Sequence, residues 1–358
     1  MSAEPDVGAR PTGGLGQRVR VAVEGLTPGY FALVMATGII SVGTRLKGFH
    51  PLSMVLLVLC AMAFVVLLIL NGWRFVSHRQ AVESDFDDPR RAFGFFTFVA
   101  GTNVLGVRLG LEGYHRATLI LMAAAGLAWL VLGYVVPWTA VIGREERPVV
   151  IAANGTWFIW VVASQSMAVA AATLEPVFVT GRRELALLAV MSWSVGIFLY
   201  AAAGVIVALR LMLYKFGPEE LTPPYWVSMG ALAITVLAGA RIVEMADAPM
   251  VAATRELIAG LAVVCWAFAT WLIPVLVAAG WWRHVVRHVP LRYEATLWSI
   301  VFPLGMYAVA GIYLGQADRL PLVADVGTVG LWVAFAVWLA AFAAMLRHLW
   351  QTVLAPAR

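Results

Sequence analysis

The sequence predicts an all-α integral membrane protein with ten transmembrane helices, arranged as five tandem helical hairpins. Hydrophobic residues make up 62% of the 358 residues and charged residues only 13%, unlike the composition of a soluble domain. The apolar residues form runs long enough to cross a bilayer, which takes about 20 residues, and short charged loops separate these runs. Helices suit such runs because they satisfy their own backbone hydrogen bonds in lipid.

Ten candidate spans follow from a window of about 20 residues. They run near residues 27–44, 52–73, 93–110, 117–137, 151–173, 185–209, 224–243, 257–281, 295–315 and 327–346. Together they form one transmembrane domain over residues 26–348. We expect residues 1–25 and 349–358 to be short tails, the first poorly ordered because it is rich in glycine, proline and charge.

The positive charges predict the orientation in the membrane. Sixteen of the 25 Lys and Arg residues lie in the two tails and in the loops after even-numbered spans. Because cytoplasmic loops carry the excess of Lys and Arg, we expect a multi-pass protein of the cell inner (plasma) membrane with both termini cytoplasmic. The net charge of +5 fits this topology and gives no reason to expect a nucleic-acid partner.

The stretch WWRHVVRH, after the eighth span, has Arg283 and Arg287 one helical turn apart on the cytoplasmic side. Two interpretations of this pair stay open. The arginines could contact lipid phosphates, since basic residues beside a cytoplasmic membrane surface are attracted to them. They could also form an electropositive mouth that concentrates anions in front of a pore.

The spans repeat in pairs. The odd-numbered spans open near Thr27, Phe93, Ile151, Pro224 and Ala295, at intervals of roughly 60–75 residues, one hairpin each. Odd spans carry most of the polar residues within the membrane and much of the glycine. Lipid offers such polar groups no partner, whereas water or substrate in a cavity does. We therefore expect the odd helices to form an inner ring around a central pore, with ordinary helix packing as the alternative for any single residue.

Seven polar residues of the odd spans are the candidates for lining this pore: Thr37, Thr102, Asn103, Ser164, Gln165, Thr235 and Ser299. The ninth span, LWSIVFPLGMYAVAG, contains Pro303 and Gly305, which predict a helix kink directly after Phe302. The odd spans have no mid-span Asp, Glu, Lys or His, which favours a passive conduit over a proton relay. A conduit with a positive mouth and no acid ring favours anions.

Chemistry other than transport finds little support in the sequence. Cys60 and Cys265 lie inside apolar runs, which is typical of buried, inert thiols. The acidic cluster Glu83–Asp88 precedes Arg90 and Arg91, so we expect a solvated loop of mixed charge rather than a metal site. The HExxH and P-loop motifs are absent. We predict no enzyme activity and no metal or cofactor, and an intramembrane lipid-modifying enzyme is the alternative from another class.

From about Leu26 to its C-terminus, the chain resembles the tellurite-resistance/dicarboxylate transporter family. This family includes bacterial tellurite-resistance proteins, fungal malate and sulfite transporters and plant slow anion channels. The similar stretches are LTPGYFALVMATGIIS, FGFFTFVAGTNVLG, WFIWVVASQSMAVAAA, PPYWVSMGALAITVLAG and LWSIVFPLGMYAVAG. The resemblance implies a homotrimer of ten-helix subunits, each with a central pore that a phenylalanine of the ninth helix closes. By its place in LWSIVFPLG, Phe302 is identified as that phenylalanine.

The residues and the resemblance together predict transmembrane transport of anions through a central pore that Phe302 gates. The expected substrates are small inorganic anions, C4-dicarboxylates, or oxyanions such as sulfite and tellurite. Within transport, the alternative is a proton-coupled C4-dicarboxylate carrier, since a carboxylate substrate can carry its own proton.

Overall fold

A computed structural model of the chain describes residues 14–143, 147–246, 248–317 and 319–354. Within these residues, ten helices are long and apolar enough to cross a membrane, which confirms the predicted number. They are Pro28–Leu46, His50–Ser77, Ala92–Gly110, His115–Ile142, Gly155–Leu174, Arg182–Leu213, Pro223–Val243, Pro249–Val286, Ala295–Ala317 and Pro321–Leu354. The even-numbered spans are the longer ones, and several extend well beyond the predicted ends.

The described residues contain twelve α-helices. They are α1 (Leu15–Glu24), α2 (Ala32–Leu46), α3 (His50–Ser77), α4 (Arg79–Asp87), α5 (Phe96–Gly110), α6 (His115–Pro137), α7 (Phe158–Leu174), α8 (Arg182–Leu213), α9 (Val227–Val243), α10 (Pro249–Trp281), α11 (Trp298–Ala317) and α12 (Pro321–Leu349). Two of them were not predicted. Helix α1 lies in the N-terminal tail, of which residues 1–13 are outside the described residues.

The second unpredicted helix, α4, includes most of the acidic cluster Glu83–Asp88. The expectation of a solvated loop is wrong for Asp85, whose side chain is buried. Its carboxylate forms ion pairs with Arg74 (2.7 Å) and Arg91 (2.5 Å). Two guanidinium groups therefore compensate one buried carboxylate. The ion pair with Arg74 connects α4 to the end of α3, and the one with Arg91 connects α4 to the start of the next turn, Ala92–Phe95. No group of three metal-ligating side chains occurs among the described residues.

Odd and even spans differ sharply in burial. In the apolar part of the odd spans 78–94% of the residues are buried, against 17–33% in the even spans. We call α2, α5, α7, α9 and α11 the buried helices, and α3, α6, α8, α10 and α12 the peripheral helices. The peripheral helices keep long rows of exposed Leu, Val, Ile and Trp, as lipid-facing helices do.

The buried helices contact one another in a closed cycle. Helix α2 packs on α5, α5 on α7, α7 on α9, α9 on α11, and α11 returns to α2. Each buried helix also packs against the peripheral helix that follows it in the chain. This connectivity is the one that five tandem hairpins require if their first helices lie side by side.

A short turn of 3-10 helix precedes every buried helix. These turns are Pro28–Phe31, Ala92–Phe95, Gly155–Trp157, Pro223–Trp226 and Ala295–Leu297, and they contact one another in the same cyclic order as the helices. We call them the collar. Its backbones approach closely: a Cβ atom at Gly155 would lie only 2.2 Å from the carbonyl carbon of Pro224. Glycine is therefore required at this contact.

A buried polar network joins α2, α3 and α5 at the opposite end of the buried helices. Arg108 is fully buried and donates to Ser41 Oγ (2.8 Å), Ser53 Oγ (2.7 Å) and Glu112 Oε1 (2.9 Å). Arg45 also donates to Glu112 Oε1 (3.0 Å). The hydrogen bond from Arg108, followed by that from Arg45, holds the pKa of Glu112 below its ordinary value. The network fixes the relative position of three helices.

Close contacts on both sides hold α11 between α9 and α2. A Cβ atom at Gly230 of α9 would lie 2.8 Å from Cγ of Pro303. On the other side, a Cβ atom at Gly305 would lie 2.8 Å from Cγ2 of Ile39 in α2. Helix α11 runs continuously through Pro303, and the kink at Pro303 and Gly305 stays a prediction. Because proline lacks an amide hydrogen, the carbonyl of Ser299 loses its usual helical partner.

Candidate functional site

A narrow internal cavity lies between the five buried helices, and each of them contributes to its wall. The lining residues are Ile39, Val42, Asn103, Val104, Val107, Leu111, Ser166, Val169, Thr173, Ile234, Leu237, Arg241, Met306 and Tyr313. The centre of a water molecule can occupy about 30 Å³ of it, enough for about two waters. The cavity lies toward the C-terminal ends of the buried helices, away from the collar.

Asn103 and Ser166 form the polar part of the cavity wall. The Asn103 Nδ2 atom donates to Ser166 Oγ (2.9 Å) and also contacts Met167 Sδ (3.1 Å). The Asn103 Oδ1 atom is buried and has no hydrogen-bond partner among the described residues. A buried amide oxygen without a partner is costly, and because it can only accept a hydrogen bond, a water molecule in the cavity is the natural partner for it.

Arg241 lies at the far end of the cavity from Asn103. Its guanidinium stands 5.5 Å from the ring centroid of Tyr313 and pairs with Glu244 (Nη1–Oε2, 3.1 Å). The side chain is about a quarter exposed, at 24%, so Glu244 and solvent screen its charge only in part. The cavity therefore ends at a cation.

An apolar layer lies one helical turn closer to the collar. It consists of one residue from each buried helix: Met35, Ala100, Val162, Gly230 and Phe302. Each of them lies four positions before a cavity-lining residue of the same helix. Residues four apart share a face of a helix, so these five face the same side as the cavity wall. All five are buried. We call them the constriction layer, and Phe302 has the largest side chain in it.

The surroundings of α11 fix the direction of Phe302. Met306 and Tyr313, which line the cavity, lie only about 40° and 20° from Phe302 around the helix. Pro303 on one flank contacts α9, and Gly305 on the other contacts α2. Phe302 therefore shares the face of α11 that points between α9 and α2, and its side chain is only 1% exposed.

Of the seven predicted pore-lining residues, Asn103 alone contributes to the cavity wall. Three others bond to peripheral helices. Thr37 Oγ1 accepts from Trp338 (3.0 Å), Ser164 Oγ accepts from Trp129 (2.9 Å), and Gln165 Nε2 donates to the Trp193 carbonyl (3.1 Å). These contacts give Thr37, Ser164 and the Gln165 amide nitrogen partners other than water, whereas Gln165 Oε1 is buried without a hydrogen-bond partner among the described residues.

Thr102, Thr235 and Ser299 are also buried and do not line the cavity. The hydroxyls of Thr102 and Thr235 donate to carbonyls one turn earlier in their own helices, both at 2.7 Å. This is a common way to satisfy a hydroxyl within a helix. Sequence reasoning missed Ser166, Thr173, Arg241 and Tyr313 as cavity residues. Ser166 and Thr173 could have been found from their spacing with Val169, because residues three and four apart lie on the same face of a helix.

The two predicted mouth arginines do not line this cavity. Arg283 donates to the backbone carbonyl of Leu221 and lines a separate groove beside the collar. The guanidinium of Arg287 stands 5.8 Å from the centroid of the Trp282 ring. Both residues lie near the end of α10.

A hydrogen-bonded aromatic group that the sequence analysis missed closes the collar between its first and fifth turns. Tyr293 forms a hydroxyl–hydroxyl bond with Tyr30 (2.8 Å) and accepts a hydrogen bond from Trp298 Nε1 (3.1 Å). Burial raises the pKa of Tyr293, so the hydroxyl stays neutral and able to donate.

Similarities to known proteins agree with this architecture. The sequence profile of the family described as voltage-dependent anion channel (SLAC1) matches residues 25–346. An uncharacterized membrane protein of Mycobacterium tuberculosis is 63% identical over 156 residues, which cover 44% of this chain and 79% of that protein. An uncharacterized transporter of Methanocaldococcus jannaschii is 22% identical over 325 residues, covering 88% of this chain and 91% of that transporter.

The family match extends over nearly the whole chain and confirms the resemblance to the tellurite-resistance/dicarboxylate transporter family. Together with the relatives named as transporters, it supports membrane transport of anions in general. The chain therefore belongs to the voltage-dependent anion channel (SLAC1) family.

Proposed function

We propose that the chain conducts small anions along the axis of the five buried helices, and that Phe302 gates this path. One observation carries the proposal: the cavity lined by all five buried helices ends at an apolar layer whose largest side chain is Phe302. The collar continues the same axis on the other side of that layer.

The charges along the path favour anions over cations. Among the described residues that line the cavity, Arg241 is the only one that carries a charge at neutral pH. At the other end, all five buried helices begin at the collar, so the positive ends of their dipoles face the proposed entrance. The hydroxyls of Ser166 and Thr173 donate to the carbonyls of Ala163 (2.7 Å) and Val169 (2.8 Å), so each would have to leave that carbonyl to replace part of the hydration shell of an anion.

Phe302 would control conduction by excluding water. An ion in an apolar constriction loses hydration and gains few contacts in return, which costs several kcal/mol. A rotamer change of the Phe302 ring would widen the constriction layer and admit water. Weakly hydrated anions should pass most readily, because contacts with the apolar constriction layer compensate for little of the free energy that an ion loses on dehydration.

The narrow cavity favours small inorganic anions as substrates over C4-dicarboxylates. With room for about two waters, it does not enclose a C4-dicarboxylate without rearrangement. The described cavity wall contains no carboxylate or histidine that could relay a proton, which supports passive flow. The distribution of Lys and Arg supports cytoplasmic termini, and the family resemblance supports a homotrimer.

The selectivity can be tested in planar bilayers with purified protein carrying Phe302→Ala, which opens the path. With a tenfold KCl gradient, we expect a reversal potential close to the chloride value of about 59 mV. Nitrate should carry more current than chloride, and chloride more than malate or sulfite. Arg241→Gln should lower the chloride-to-potassium permeability ratio about two- to fivefold, as for a partly screened charge. A potential near that of potassium would contradict the proposal.

A further inference from the structure

A second cavity, separate from the central one, lies beside the collar and shares no lining residue with it. This groove has a volume of about 310 Å³. Its walls come from the end of α10, the collar turn Pro223–Trp226, and the segment of residues 290–300.

The groove is divided into an apolar part and a cationic part. Leu276, Gly280, Leu297 and Ile300 line the apolar part. Arg283 lines the other part, seven residues after Leu276 in the helical turn Trp282–Val286 that continues α10, a distance of about 10 Å along the helix. The exposed Trp281 and Trp282 flank this end on α10, and tryptophan is enriched where a membrane meets water.

Arg283 is held in place yet keeps a free donor. It donates to the backbone carbonyls of Leu221 and Glu219, and no described carboxylate lies within ion-pair distance of it. Its Nε atom is buried without a hydrogen-bond partner among the described residues. Arg292 lines the same end, and Glu294 is the acidic residue beside them. Two guanidinium groups against one carboxylate leave a net positive site with an unused donor.

We propose that this groove binds an anionic phospholipid of the cytoplasmic leaflet. The phosphate group would meet Arg283 and Arg292, and an acyl chain would cover the apolar wall. A free phosphate ion would occupy only the cationic part of the groove, whereas a phospholipid would occupy both parts, which argues for the lipid. Basic pockets between helices on the cytoplasmic side suit such headgroups. The bound lipid would contact Leu297 and Ile300, which lie five and two residues before Phe302. This binding does not depend on the proposed function.

The test is native mass spectrometry of delipidated protein titrated with phosphatidylglycerol, with phosphatidylcholine and inorganic phosphate as comparison ligands. Arg283→Gln/Arg292→Gln should weaken phosphatidylglycerol binding at least tenfold. The control Arg79→Gln/Arg90→Gln removes two exposed cations at other positions on the same side and should leave binding unchanged. Equal affinity of the first double variant and the wild type would overturn the proposal.

A second variant tests the apolar wall and does not depend on how the arginine variant folds. A Cβ atom at Gly280 meets nothing within 4 Å, so Gly280→Leu fills the groove without a clash. It should also reduce phosphatidylglycerol binding at least tenfold. Two other results would also overturn the proposal. One is that the wild type binds phosphatidylcholine as tightly as phosphatidylglycerol, which would mean that the headgroup charge is not recognised. The other is that millimolar inorganic phosphate displaces the lipid, which would mean that the acyl chain is not recognised.

Discussion

Replacing Phe302 by alanine removes the largest side chain of the constriction layer. The side chains that remain at this level are those of Met35, Ala100 and Val162, with no side chain at Gly230. The space left by the ring would join the central cavity, because Phe302 lies one turn below Met306 on the same face of α11. A continuous water path would then run from the collar to Arg241.

The size of the effect follows from hydration. A bare ion in an apolar layer lacks several kcal/mol of hydration free energy. If the water admitted by Phe302→Ala restores only about 1.4 kcal/mol of the lost hydration free energy of the ion, the rate of ion passage rises tenfold. We therefore expect anion conductance to increase at least about tenfold. Phe302→Leu should give an intermediate value, because leucine fills part of the space.

The assay is chloride and nitrate flux from liposomes containing equal amounts of wild-type and variant protein. Phe158→Ala is the matched control. Phe158 also lies on a buried helix and is 4% exposed, but its ring packs on Tyr200 of the peripheral helix α8, with centroids 5.2 Å apart. Both variants should lose stability, by about 3–5 kcal/mol for a buried phenylalanine. Only Phe302→Ala should gain conductance, and equal flux through folded Phe302→Ala and wild type would refute the reasoning.

Three further predictions concern single residues. In the Phe302→Ala background, Asn103→Leu should lower single-channel anion conductance at least threefold by removing the polar wall, and unchanged conductance would exclude Asn103 from the path. Glu112→Gln should destabilise the detergent-solubilised protein by about 1.5 kcal/mol, because Arg108 loses a charged acceptor that is partly exposed and keeps its bonds to Ser41 and Ser53. Because folding lowers the pKa of Glu112, its carboxylate stabilises the folded protein above about pH 4.5, and this stabilisation is lost as the pH falls below that value. If the melting temperature of Glu112→Gln depended on acid pH in the same way as that of the wild type, this explanation would be wrong. Gly155→Val should lower the melting temperature sharply, whereas Gly72→Val, where a Cβ meets open space, should not; equal melting temperatures would show that the collar tolerates a side chain.

The sequence predicted the number of spans and the difference between odd and even helices, because both depend on composition. A lipid-facing helix must be apolar around most of its surface, and α3 and α10 are. Phe302 could be selected by its resemblance to a known gate. The rotation of each buried helix could not be predicted, because its polar residues do not mark one face: in α7, Ser164, Gln165 and Ser166 are consecutive and point in three directions.

The polar candidates illustrate this limit. Thr37, Ser164 and Gln165 are as buried as Asn103, and all four occur on odd spans. Three of them bond to peripheral helices because a tryptophan N–H or a backbone carbonyl lies opposite, and one-dimensional patterns do not contain that information. Asp85 is a related case: its burial depends on Arg74, eleven positions earlier and at the end of another helix.

The central claim is that the axis of the buried helices is a water-filled path closed at Phe302, and sided labelling tests it most directly. Ser166→Cys, in a background with Cys60 and Cys265 replaced by alanine, puts one thiol in the cavity. Dicyanoaurate, a small thiol-binding anion, should reach it from the side of Arg241 with Phe302 present or absent. From the collar side it should react only when Phe302 is replaced by alanine. Equal reaction from the collar side with Phe302 in place, or no reaction from either side, would contradict the claim.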